Sequence, residues 1–362
     1  MKVPYFEQRD FPKGINDEID LAIKEVVQSG QFILSEKVDE FEGRFAEFSG
    51  ASYCISVANG FDALRIAMFC LGLKSGDEVL INANTIPVTI QAIKSLGAIP
   101  VLVDFDESTG QISLNALEEA LSSKTKLVLP VHLYFQSSDM ISLVNFCKQY
   151  NLVLMEDFAH CHDSYFENQK LGTFGAMSAT SFYPTKILGA FGDAGAILCN
   201  NFELYEKAKA IRNYGKDQNG NYGSFGLNSR MDELQAAVLL VKLHYFDQLR
   251  TERIRIFNRY YEALEPWMLR YTGQKTVAHI IALKVENSTR IRARLLEKGI
   301  QTAVHYHFDL NMGVWEDCRW ASNELQDKTL RNSQNLVSLP IYLGMTVEEQ
   351  DYVIRCVKNE LA

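Results

Sequence analysis

No stretch of this 362-residue sequence reaches the ~18 consecutive apolar residues that a membrane-crossing helix requires. The opening residues, MKVPYFEQRDFPKG, lack the apolar centre of a secretion signal. Both absences predict a soluble, cytoplasmic chain with no membrane partner. The seven cysteines, at 54, 70, 147, 161, 199, 318 and 356, are odd in number and include no C-x-x-C pair. That pattern argues for reduced thiols and against a zinc or dithiol site. Basic residues are outnumbered, 36 Lys and Arg against 45 Asp and Glu, and the two signs are interspersed. A nucleic-acid binder needs a concentrated basic face, so that class is disfavoured. A phosphorylated small molecule is not, because backbone amides alone can hold it.

What is present is alternation. SYCISV reads as a strand, DALRIAMFCLGL as a helix and DEVLIN as a strand; PVTIQAIKSLG, IPVLVDF, SLNALEEALS, KLVLPV, MISLVNFCKQY and LVLMED continue helix, strand, helix, strand, helix, strand. Strands apolar throughout and separated by helices predict an α/β fold whose mostly parallel sheet is sandwiched by helices. Two helices, near residues 14–29 and 35–48, precede the alternation and are suited to wrapping a neighbour. After Asn228 one long helical pattern leads into a smaller C-terminal α+β region. The length predicts two domains, a large one over 1–245 and a small one over 246–362.

Ligands of an open parallel sheet collect at the carboxyl ends of its strands, where three stretches carry chemistry. In VANGFDAL a strand turns through Asn59 and Gly60 into a helix whose first amides suit a phosphate, although Asn-Gly before Asp62 is also an ordinary capped turn. In MEDFAHCHD, Asp157 ends a buried strand, where a carboxylate needs a cationic partner. His160, His162 and Asp163 make a metal site conceivable, but no second ligand cluster is visible; His132, His305 and His307 stand apart and read equally well as packing or capping residues. In SFYPTKILGAFGDAGA, Lys186 sits among Phe182, Tyr183, Ile187, Leu188 and Phe191, which would partly desolvate it and lower its pKa. Alone, the segment reads as a surface lysine on a Gly-rich turn. A phosphate seat, a strand-end acid and a desolvated lysine together suit pyridoxal phosphate.

The chain resembles the DegT/DnrJ/EryC1/StrS sugar aminotransferases, a branch of the fold-type I pyridoxal-phosphate transferases. The likeness rests on SGQFILSEKVDEFEGRFAEFSGA, NGFDAL, SGDEVLINANT, PVHLYFQ, MEDFAHCHD, SFYPTKILGAFGDAGAI, RNYGKD, GLNSRMDELQAAVL, GIQTAVHY and SLPIYLGMTVEEQDYVI, in that order. It implies pyridoxal 5'-phosphate (and its pyridoxamine form) as cofactor, Lys186 as the lysine that holds its aldehyde and Asp157 as the partner of its pyridine nitrogen. It further implies Gly60, Phe61 and Ser181 at the phosphate, and Asn228 reaching that phosphate from the other subunit of a homodimer with shared sites. His160 takes a position near the cofactor's 3-oxygen where a glutamine is usual, and could titrate near neutrality. Ile86 replaces an aromatic ring against the pyridine face. His305, Tyr306 and Tyr183 are candidate substrate contacts, and Phe135 and HYHFD replace smaller residues near the expected sugar site.

The implied reaction moves an amino group from L-glutamate to a nucleotide-linked keto-deoxysugar, in surface glycan (lipopolysaccharide) or glycoside biosynthesis. NGFDAL with NSRMDELQAA most resembles members that aminate C-3 of a dTDP-3-keto-6-deoxyhexose. The alternatives are C-4 amination of a dTDP-, UDP- or GDP-linked 4-ketosugar, a pyridoxal-phosphate-binding regulator without turnover, and a metal hydrolase at His160 and His162. Members lacking the lysine dehydrate their substrate; Lys186 argues against that chemistry.

Overall fold

The computed structural model describes residues 1–217, 219–223, 225–271 and 277–361. Two helices, α1 (Ile15–Ser29) and α2 (Glu36–Ser49), lead into the alternation β1 (Tyr53–Val57), α3 (Gly60–Cys70), β2 (Glu78–Asn82), α4 (Pro87–Lys94), β3 (Ile99–Val103), β4 (Thr125–Leu129), α5 (Met140–Gln149) and β5 (Val153–Asp157). A short hairpin, β6 (Tyr165–Phe166) and β7 (Gln169–Lys170), precedes β8 (Met177–Ser181), β9 (Gly195–Cys199), α6 (Phe202–Arg212) and α7 (Glu233–His244). The chain ends in α8 (Phe246–Leu264), β10 (Ile281–Lys284), α9 (Ser288–Glu297), β11 (Arg319–Trp320), α10 (Glu324–Gln334), β12 (Leu336–Leu339) and α11 (Val347–Leu361).

The main sheet runs β1-β9-β8-β5-β4-β2-β3-β11, and β9 alone opposes the common direction. Alternate residues feed opposite faces, as the pleat demands. Leu80, Val101, Val103 and Val128 join one apolar cluster, whereas Val79, Ile81, Leu102, Leu127 and Leu129 join the other. Both faces are therefore covered, and the mostly parallel sandwich is as the sequence predicts.

Two expectations need correcting. Residues 113–122 do not form an α-helix: a 3₁₀ turn at Leu114–Ala116 and successive i to i+3 bonds carry Leu117 and Ala120 into the core, and Ser113 supplies no side-chain cap. The long helix after Asn228 breaks at Tyr245 between α7 and α8. One face of α1 packs within the chain, with Ile15 and Ile19 meeting Val238 of α7. β11, too short to read from sequence, brings a C-terminal segment to the edge of the large sheet beside β3. We propose the break at Tyr245 as the division between the two domains; the C-terminal region 246–362 includes residues 272–276 and 362, which lie outside the described residues.

Candidate active site

The carboxyl ends of β1, β4, β5 and β8 surround one cavity of about 580 Å³. Its cradle begins at α3. The Asn59 side chain accepts from Asp62 N at 2.8 Å, so the cap is real, but this leaves the first amides, Gly60 and Phe61, without an intrahelical acceptor. Both residues line the cavity beside Ser181. The approach there is close enough to require glycine: a Cβ on Gly60 would stand 2.7 Å from Ser181 Cβ, and one on Gly195 2.5 Å from the Asn59 carbonyl carbon.

Asp157, the last residue of β5, is buried at the cavity floor. Thr89 Oγ1 donates to its Oδ2 at 3.2 Å and Ala159 N to its Oδ1 at 3.2 Å. Burial nonetheless holds this carboxyl above its ordinary range, opposed by the Ala159 amide and by the Lys186 ammonium. A cation set against it would relieve that penalty. The neighbouring Glu156 points to the opposite face and is fully satisfied, accepting from Gly172 N, Phe174 N and Gly175 N and pairing with His132 Nε2 at 3.0 Å.

Lys186 lies on the cavity wall in the turn after β8, where its backbone N–H donates a hydrogen bond to Tyr183 O at 2.8 Å. Burial pulls its ammonium down to about 8, against the pull of Asp157 in the other direction. Of the five apolar neighbours predicted to desolvate it, Phe182, Ile187 and Leu188 are buried, while Tyr183 and Phe191 stay exposed. His162 secures this turn from behind: its Nδ1 accepts from Leu188 N at 3.3 Å and its Nε2 meets Thr180 Oγ1 at 2.8 Å. Burial lowers His162 to about 3, so it is a neutral strut.

The remaining candidates divide. Ile86, His160, Tyr183, His305 and Tyr306 all line the cavity. His160 Nε2 meets the Tyr306 hydroxyl at 3.0 Å, and among the described residues its buried Nδ1 has no partner. Burial and the Lys186 charge depress His160 well below the ordinary histidine range, so it does not titrate near neutrality as anticipated. Asn228 is exposed and outside the lining of this single chain. Phe135 is buried against Phe257 and Tyr271, away from the cavity, and His307 is exposed. Among the described residues, no three His, Cys, Asp or Glu side chains could hold a metal; Asp163 instead pairs with Lys170 and Arg250 at 2.8 Å each. Sequence reasoning missed Thr89, Tyr5, Phe6, Asp193 and His279 as lining residues. For His279 the available signal was a lone imidazole in the apolar run VAHIIALKV.

A phosphopyridine aldehyde fits these residues. The glycine-dependent cradle suits its phosphate, the desolvated Asp157 its ring nitrogen, the unpartnered His160 Nδ1 its ring oxygen and Lys186 its aldehyde.

Residues 13–358 match the model of the DegT/DnrJ/EryC1/StrS aminotransferase family. A similar curated protein is the dTDP-3-amino-3,6-dideoxy-alpha-D-galactopyranose transaminase of Aneurinibacillus thermoaerophilus, 38% identical over 99% of both chains. Among solved structures, Streptomyces venezuelae DesV in complex with a ketimine intermediate superposes with a TM-score of 0.94 at 29% identity, over 99% of this chain and 98% of that one. Bacillus subtilis NtdA with bound cofactor PMP gives 0.87 at 29% identity, over 96% of this chain and 82% of that one.

Proposed function

The chain belongs to the DegT/DnrJ/EryC1/StrS aminotransferase family and is a pyridoxal-phosphate-dependent sugar aminotransferase; on that premise we propose that it transfers the amino group of L-glutamate to C-3 of a dTDP-linked 3-keto-6-deoxyhexose. The observation that carries the reaction is the pairing, on one cavity, of a lysine lowered to about 8 with a buried strand-end carboxylate. The choice of sugar is supported by the end-to-end relative whose name specifies that class of product.

When bound, the cofactor supplies an aldehyde to carry the amino group and a ring to accept electrons from the substrate's Cα–H bond. Gly60, Phe61 and Ser181 hold its phosphate through amides and a hydroxyl. Asp157 keeps the ring nitrogen protonated, and Thr89 and the Ala159 amide fix the carboxylate for that task. Lys186 would present its amine to the aldehyde carbon, and as a free amine it would move the proton of the amino donor's Cα, work worth about 10² to 10⁴ in rate. His160, kept neutral and braced by Tyr306, donates or accepts a hydrogen bond at the ring oxygen without adding charge. Ile86 offers an apolar surface to the ring, and His305, Tyr306 and Tyr183 face the sugar.

We further infer a homodimer with shared sites. Tyr183 and Phe191, on either side of Lys186, remain exposed, as do Tyr222 and Phe225 before Asn228; exposed apolar groups around a site suit coverage by a second copy, which would bring its Asn228 to the phosphate. Cytoplasmic residence is supported by seven free cysteines, and no helix among the described residues is long and apolar enough to cross a membrane. The test is to incubate the pure protein with glutamate and a panel of 3-keto and 4-keto nucleotide sugars. Amination of the dTDP-3-keto sugar supports the assignment, and exclusive amination of a 4-keto sugar overturns it.

A further inference from the structure

The first nine residues have no place in the reading so far, yet they reach the cavity. Val3, fully buried, is stitched into the C-terminal region: its amide donates to Gly299 O and its carbonyl accepts from Gln301 N, each at 2.9 Å. Tyr5 N donates to Gln301 Oε1 at 3.1 Å. At the far end, Arg9 forks onto Glu349 with bonds of 2.8 and 2.6 Å, donates to Gly344 O at 2.9 Å and lies over the Tyr342 ring at 4.9 Å. A bidentate guanidinium–carboxylate pair is a directional anchor that a lysine could not reproduce. Between the two anchors, Tyr5 and Phe6 form part of the cavity wall.

This wall continues toward the reacting centre. The Tyr5 ring stacks on His305 at 5.8 Å, His305 adjoins Tyr306, and Tyr306 bonds to His160, whose ring meets His279 edge-on at 4.6 Å. Two polar groups on it bear on what the wall can hold. His279 is buried with Nδ1 unpaired among the described residues, and the Tyr5 phenol, largely withdrawn from water, interacts with the charge of buried Arg253. Desolvated polar atoms left unpaired are costly, and a ligand that supplies partners gains from them. An aromatic face beside uncharged hydrogen-bonding groups matches a hexose, with its apolar C–H surface and ring hydroxyls, better than it matches the flexible dicarboxylate of glutamate.

We propose that residues 3–9 form a fixed strap that completes the sugar-facing wall, with Tyr5, Phe6 and His279 as specificity-determining contacts for the nucleotide-linked sugar and not for the amino donor. The proposal rests on the sugar aminotransferase reading above. The strap then acts on only one of the two half-reactions, although both use the same lysine.

The half-reactions separate the two ideas. In the holoenzyme, the glutamate half-reaction is followed by loss of the cofactor's visible absorbance, and the second half-reaction by its return on adding the dTDP-3-keto-6-deoxyhexose. Tyr5→Phe, which removes only the hydroxyl, and Phe6→Ala should each raise KM for the sugar by about tenfold, the scale of one lost buried contact, with the glutamate rate within about twofold of wild type. Arg9→Gln, which touches no cavity residue, should raise the sugar KM in the same direction by loosening the anchor. Cofactor content and thermal midpoint matching wild type establish that each variant is folded. Parallel loss of both half-reactions, or an unchanged sugar KM in all three variants, overturns the strap proposal. Failure of the wild-type protein to aminate any keto-sugar would instead overturn the functional reading beneath it.

Discussion

The Thr89 hydroxyl, in the first turn of α4, donates to Asp157 Oδ2 at 3.2 Å and is itself wholly buried. The helix that begins at Pro87 thus fixes the carboxylate at the end of β5, and burial leaves that carboxylate few other donors. Thr89→Val keeps the shape and removes the donor. We expect kcat for the glutamate half-reaction to fall about tenfold, the scale of a hydrogen bond to a charged group, with cofactor retained. An unchanged rate in single-turnover absorbance measurements would remove Thr89 from the site.

The acidity of Lys186 gives a pH test. Burial lowers the folded-state ammonium to about 8, so the free amine appears as pH rises through about 8, well below the range of an ordinary lysine. Capture of added cofactor by the cofactor-free protein should accelerate through that window. Between the folded and unfolded values the unfolded chain binds more protons, so this group's penalty on stability shrinks as pH rises. Asp157 holds the lysine up, and Asp157→Asn should therefore move the midpoint of capture downward. A midpoint near 10, or one indifferent to Asp157, would show that the amine is not desolvated beside the carboxylate.

Gly60 tests the phosphate cradle. A methyl there would stand 2.7 Å from Ser181 Cβ, and overpacking of this kind costs about 1–3 kcal/mol. Gly60→Ala should weaken cofactor binding by about tenfold or more in equilibrium titration, while Gly43→Ala, in open space on α2, should leave it unchanged.

The frame that holds the cradle has its own ion pair. Buried Arg212 of α6 bonds to Glu42 of α2, and to Ser56 O at 2.8 Å, while Glu42 accepts from Ser56 N at 2.8 Å. Arg212→Met strands the Glu42 carboxylate and should destabilise the protein by about 3–5 kcal/mol in urea unfolding. Adding Glu42→Gln should recover part of that loss; no recovery would mean that the pair is not the source.

The chemistry legible in the sequence was the part encoded in consecutive residues. Gly60 follows β1 and Asp157 ends β5, so alternation put both at one end of the sheet; Lys186 stood out by its apolar neighbours, and Ser181 was legible only through the family resemblance. The roles of His162 and Glu42 were not legible, because their partners, Leu188 and Arg212, lie 26 and 170 residues away. The N-terminal strap was silent for the same reason: nothing in VPYFEQR announces Gly299 or Glu349 as its partners. The predicted helix over 113–122 failed because its apolar residues suit successive turns as well as a helix, and no cap decides between them.

The most direct test of the central claim is to reduce the holoenzyme with borohydride, digest it and map the cofactor-bearing peptide by mass spectrometry. The account predicts a pyridoxyl group on Lys186, and neither a labelled peptide nor turnover in Lys186→Ala. A label on any other lysine, or full activity in Lys186→Ala, would contradict it.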